Sequence, residues 1–145
     1  MRNPISVARL TWALACALML AAGSSSAASD KTKPTLSLKA SPQTGFAPTR
    51  VVLTAEVKGG TDDYADFYCP SVEWNWGDDT KAESKIDCDP YEAGKSEIKR
   101  RYVFDRVFQS PGTFRVEFRL KQKNKVVGST STTVSIRPGL RDGGH

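Results

Sequence analysis

The sequence has little of what catalytic and metal-binding sites are built from. Its one histidine, His145, stands at the C-terminal end. No Ser–His or Cys–His arrangement can therefore be assembled around a buried imidazole. There are three cysteines, Cys16, Cys69 and Cys88, and two isolated thiols without a nearby histidine make a poor zinc site. No D-x-D-x-D-G loop is present, although calcium would need six to eight converging oxygens. Neither an internal repeat nor an amphipathic helical period is found. The charge is mixed: 21 Lys and Arg against 16 Asp and Glu, a net +5. That excess alone does not imply a nucleic-acid partner, and none is expected. The chain reads as no enzyme and as needing no cofactor.

Long apolar stretches are absent too, with one exception at the start. Residues 1–28 carry Arg2 and Arg9, then an apolar run of 13 residues from Leu10 to Ala22, then small residues suited to cleavage near Ala27 or Ala28. This is the anatomy of a secretory signal peptide. The run is too short to span a bilayer, which takes about 20 residues, and Cys16 within it is filler. Its removal leaves a chain of 117 residues starting at Ser29, with a net charge of +3 and no membrane span. The expected destination is the periplasm or the medium. In an exported chain Cys69 and Cys88 are expected to pair as a disulfide, closing a loop worth about 3 kcal/mol in the chain-entropy model.

What is present in quantity is two-residue alternation. After a polar lead-in at 29–34, residues 35–40 (TLSLKA) place Leu36 and Leu38 on one face. Residues 50–57 do the same with Val51, Leu53, Ala55 and Val57, and residues 72–76 with Val72, Trp74 and Trp76. Ala82, Ser84 and Ile86 repeat that parity. The clearest case sets Phe114, Val116, Phe118 and Leu120 against Arg115, Glu117, Arg119 and Lys121, a half-buried strand with a charged outer face. Residues 98–104 are β-rich and basic, and 130–136 close the series before a glycine-rich tail at 138–145, read as disordered. Turn chemistry marks 41–48, 109–112 and 123–128. About seven short strands without helices predict an all-β, antiparallel two-sheet sandwich over residues 35–137.

The stretch VEWNWGDDT, residues 72–80, predicts a hairpin. With Asp78, Asp79 and Thr80 as the loop, Trp76 opposes Ala82, Trp74 opposes Ser84 and Val72 opposes Ile86. Cys88 then falls opposite Pro70, next to Cys69, and a bulge at Pro70 aligns the two cysteines. Asp78 and Asp79 are read as turn residues that bond their own backbone and not as metal ligands. Both tryptophans are read as core.

Three segments, in order, resemble the polycystic kidney disease (PKD) domain family, an immunoglobulin-like sandwich. They are Ala40-Ser41-Pro42 with Gly45, Ala47-Pro48 and the 51–57 strand; Trp74-Asn75-Trp76-Gly77-Asp78-Asp79-Thr80, similar to W-D-F-G-D-G-T; and Phe108, Ser110-Pro111-Gly112, Thr113-Phe114 and Val116, similar to Y-x-x-x-G-x-Y-x-V. The departures are Asn75 for aspartate, Asp79 for glycine, Phe114 for the tyrosine of a tyrosine corner, and Arg106 where histidine is common. The resemblance implies a non-catalytic extracellular module that contacts a protein or a carbohydrate. A structural component of the envelope or matrix is the alternative.

Two surfaces are candidates for that contact. Tyr64, Phe67, Tyr68 and Tyr91 flank the cysteines, as a ligand-anchoring aromatic cluster or a small satellite core. Arg115, Arg119, Lys121 and Lys123 form a basic strand face suited to an anionic partner, or an ordinary solvated face.

Overall fold

The computed structural model describes residues 32–140. The expected leader at 1–28, Cys16 within it, and the tail beyond residue 140 lie outside the described residues.

Eight strands form two sheets. They are β1 (Thr35–Ser41), β2 (Thr44–Phe46), β3 (Thr49–Lys58), β4 (Ser71–Asn75), β5 (Lys81–Ser84), β6 (Arg101–Phe108), β7 (Gly112–Gln122) and β8 (Lys125–Arg137). A three-stranded sheet runs β1-β3-β6 and a five-stranded sheet runs β2-β8-β7-β4-β5. The fold is the all-β, immunoglobulin-like two-sheet sandwich that the sequence implies. The eighth strand is β2, in a segment expected to be turn; it pairs parallel to β8, the one exception to an antiparallel arrangement among the described strands. Through it the chain visits the larger sheet between β1 and β3, which pair with each other in the smaller one.

Alternation decides which faces meet. Val51, Leu53, Ala55 and Val57 of β3 are buried against Val72 and Trp74 of β4 and Val116, Phe118 and Leu120 of β7. Trp76 follows β4 and is 1% exposed. Its indole stacks on Trp74, ring centroids 5.7 Å apart, and meets Phe104 at 5.0 Å. Trp74 in turn packs on Phe118 at 4.7 Å. Burying an aromatic side chain removes 150–250 Å² from water, so this cluster carries much of the hydrophobic stabilisation.

Several strand limits differ from expectation. The 98–104 strand is displaced toward the C-terminus, becoming Arg101–Phe108, and β8 begins at Lys125. The turn before β8 is therefore only Lys123-Asn124, both at positive φ, the geometry that suits a two-residue hairpin. A register shift between Leu120 and Lys121 then realigns β8 so that Val127 turns inward.

The β4–β5 hairpin is offset from the expected register by two residues. Trp74 opposes Ala82 and Val72 opposes Ser84, while the Trp76 N–H donates to the Thr80 carbonyl at 3.1 Å. An offset of two keeps every side chain on its own face. It does release Ile86, which is 54% exposed beyond the end of β5. Cys88 is consequently no strand partner of Pro70. The Cys69–Cys88 disulfide forms between irregular segments, with Cα atoms 6.1 Å apart.

Candidate functional site

The turn after β4 is built from the signature residues. Gly77 has φ +79°, and a Cβ there would sit 2.7 Å from the Arg115 carbonyl oxygen, so no other residue fits without backbone movement. Asp79 also has positive φ, a conformation that aspartate tolerates. The Gly77 N–H donates to Asn75 Oδ1 at 3.1 Å. Asp78 accepts from the Thr80 N–H at 3.1 Å and from the Thr80 hydroxyl. Arg106 completes the corner, donating to Asp78 Oδ2 at 2.7 Å with its guanidinium 4.9 Å from the Trp76 ring centroid. Burial pushes the Asp78 carboxyl up, but the bonds from Thr80 and the charge of Arg106 outweigh it and hold the group below its ordinary value. Asp78 thus serves the turn. Among the described residues, no three His, Cys, Asp or Glu side chains are grouped to hold a metal.

The four candidate aromatics form two ring pairs in the loops that carry the disulfide. Phe67 is 1% exposed, and Tyr64 meets it edge to face at 5.3 Å. Tyr68 packs on Tyr91 at 5.6 Å. The Tyr68 hydroxyl donates to the Asp89 carbonyl at 2.8 Å and the Tyr91 hydroxyl to the Asp63 carbonyl at 2.5 Å. Gln122 of β7 fastens this annex to the sheet by donating to the Tyr68 carbonyl at 2.7 Å. Tyr64, Tyr68 and Tyr91 are half-buried, whereas Phe67 belongs to the main core and offers no surface to a ligand.

The basic face of β7 is not open either. At its centre lies Glu73 of β4, a side chain on the outer face that is nevertheless only 7% exposed. It accepts from Arg119 at 3.1 Å and Lys121 at 3.1 Å, with Lys81 at 3.8 Å. Arg119 also grips Glu117 with two bonds, at 2.8 and 2.9 Å. The hydrogen bond from Lys121, against some opposing burial, lowers the Glu73 pKa, and the same bond raises that of Lys121. Arg115 bonds Ser131 at 3.2 Å. Lys123 sits in the turn and, with Lys85, Lys121 and Cys69, borders an open cleft of about 340 Å³. So the four basic residues do not form one row of uncompensated charge: two are neutralised by carboxylates, one bonds β8, and one lies in the turn. No sequence pattern marks Glu73, because its parity signals the outer face and its hydrogen-bonding cations, Arg119 and Lys121, lie 46 and 48 positions away.

A different feature stands open. β6 pairs only with β3 among the described strands, which leaves one long edge of the smaller sheet unpaired. Val103 and Val107 on its outer face are 55% and 37% exposed, and Phe104 is 40% exposed. Val52 of the adjacent β3 extends this apolar surface. Backbone geometry fixes which residues offer hydrogen bonds there. The Val57 N–H bonds the Arg100 carbonyl. By antiparallel alternation, Tyr102, Phe104 and Arg106 bond back to β3, whereas Arg101, Val103, Asp105 and Val107 turn their N–H and C=O groups outward.

No family model matches the chain, and no curated protein does. Among solved structures, it is similar to the PKD domain of an M14-like peptidase from a Thermoplasmatales archaeon, at 14% identity and a TM-score of 0.49, covering 74% of this chain and 98% of that one. It is also similar to a CARDB domain from Pyrococcus furiosus, solved in complex with di-metal ions, at 14% identity and a TM-score of 0.44, covering 74% and 96%.

Proposed function

We propose that this chain is an exported, non-catalytic interaction module that docks a protein partner at the cell envelope or outside the cell. The observation that carries the reading is the open β6 edge, with outward backbone groups flanked by Val103, Phe104 and Val107. Such an edge is a template for an added strand. Export is supported by the leader-like pattern at 1–28 and by the Cys69–Cys88 bridge, which suits an oxidising compartment. The non-catalytic reading is supported by where the perturbed acidic groups lie. Glu73 and Asp78 are held in ion pairs that stabilise a sheet face and a turn, whereas catalytic carboxylates are poised in clefts. A protein partner is favoured over a carbohydrate because Tyr68 and Tyr91 turn their hydroxyls to backbone carbonyls and Phe67 is buried. The alternative reading, a structural component of the envelope or matrix, draws on the same edge.

The test is capture by the immobilised chain from envelope extract and on a glycan array, with wild type compared against Val103→Lys. A protein retained by wild type and lost with the variant is expected. Retention of a glycan with no protein, or capture indifferent to Val103→Lys, would overturn the reading.

A further inference from the structure

The open edge is self-complementary. β6 reads Arg101-Tyr102-Val103-Phe104-Asp105 over its first five residues. Consider a second β6 laid antiparallel along the free edge, with a twofold axis through Val103. Val103 then faces Val103 of the second copy, and their outward N–H and C=O groups are in phase to bond. Arg101 opposes the second copy's Asp105, and Asp105 its Arg101, so two ion pairs form on the outer face. On the inner face Tyr102 opposes Phe104, again twice. Each pairing is of a kind that stabilises adjacent strands: aliphatic with aliphatic, cation with anion, ring with ring.

The neighbouring registers lack this match. An axis through Phe104 sets Val103 against Asp105 and Tyr102 against Arg106. An axis through Asp105 places two carboxylates face to face, which is unfavourable. In the favoured register Arg100 and Arg106 come opposite each other, but each already has a carboxylate of its own, Asp62 at 2.5 Å and Asp78 at 2.7 Å. Arg101 is exposed and forms no ion pair with a described residue. Among the described residues Asp105 pairs only with exposed Arg50, at 2.8 Å through Oδ2, which leaves Oδ1 available.

We infer that the occupant of the β6 edge is a second copy of this chain, paired antiparallel about Val103 to make one continuous six-stranded sheet. The inference rests on the reading of β6 as the docking edge and names its partner. It is tested by measuring the mass of the exported, disulfide-bonded chain by sedimentation over a concentration series, with circular dichroism to verify the fold of each variant. Wild type is expected to pass from one chain mass to two as concentration rises. Arg101→Asp and Asp105→Arg each replace two attractive pairs by two like-charge pairs and should weaken the dimer about tenfold. The double variant should restore it, and Val103→Lys should leave a monomer. A wild-type chain that stays monomeric, or a folded double variant that fails to recover association, overturns the inference. In the monomeric case the capture experiment separates the two readings. Loss of envelope capture by Val103→Lys then means the edge docks a different protein, and unaffected capture means the docking edge itself is wrong.

Discussion

The two sheets of this sandwich treat their exposed strands in opposite ways. The five-stranded sheet carries the conspicuous charge, with Arg115, Arg119 and Lys121 in a row on β7. Yet Arg119 and Lys121 are answered within the sheet by Glu73, Glu117 and Glu83, and Arg115 by a hydrogen bond to Ser131. The three-stranded sheet looks ordinary in sequence, and its β6 is left with an unpaired edge. A row of like charges therefore does not by itself mark a surface that needs a partner. Unsatisfied backbone groups beside exposed valines are the stronger sign, because they have no answer within the described chain.

Substitutions can separate the two sheets by what each one loses. The largest effect is expected in the core beneath the five-stranded sheet. Trp76→Ala removes an indole stacked on Trp74, tilted against Phe104 and roofed by Arg106, and should lower stability by about 3–5 kcal/mol in denaturant unfolding. A smaller loss would show that the corner collapses onto the gap. Next comes the annex. Replacing both Cys69 and Cys88 by serine should cost about 3 kcal/mol, measured the same way without reductant, with amide exchange rising first in residues 61–70 and 85–98.

Smaller still is the ionic face. Glu73→Gln should cost about 1 kcal/mol, because the cations around it stay in contact with water. That loss should depend on pH. The folded-state carboxyl of Glu73 lies below its ordinary value of 4.5. Its contribution is therefore full above that value and disappears as pH falls through the lower folded value. Unfolding midpoints of wild type and Glu73→Gln should differ at pH 7 and converge in acid. A constant difference across that range would mean the carboxylate acts through packing and not charge. The smallest change in stability is expected on the other sheet. Val103→Lys, exposed on the open edge, should alter unfolding by less than about 0.5 kcal/mol while removing association. A large loss of stability there would erase the contrast between the sheets.

Much of the fold is legible in the chain. The alternation of β3 and β7 places Val51, Leu53, Val116, Phe118 and Leu120 inward, and all are fully buried. The hairpin register is not legible, because an offset of two residues preserves every face and alternation has no power to choose between the two. The true register is fixed by the corner itself: Asp78 bonded to Thr80 and Arg106, and Gly77 against the β7 backbone. Arg106 did leave a signal, a charge in the inward parity of Tyr102 and Phe108, where only a paired cation is tolerated. Glu73 left none. Its role exists because β4 lies beside β7 in the sheet, an adjacency that no local pattern encodes.

By itself, then, the sequence determined which residues turn inward, where glycine must bend the chain and which cysteines pair, since these follow from local periodicity, backbone sterics and thiol chemistry. Tertiary structure decided the fate of the surface. Strand order set Glu73 among its cations, drew Phe67 into the main core, and left β6 at the end of a sheet. Those outcomes depend on which distant segments become neighbours, and proximity in space is the one quantity a linear pattern does not carry.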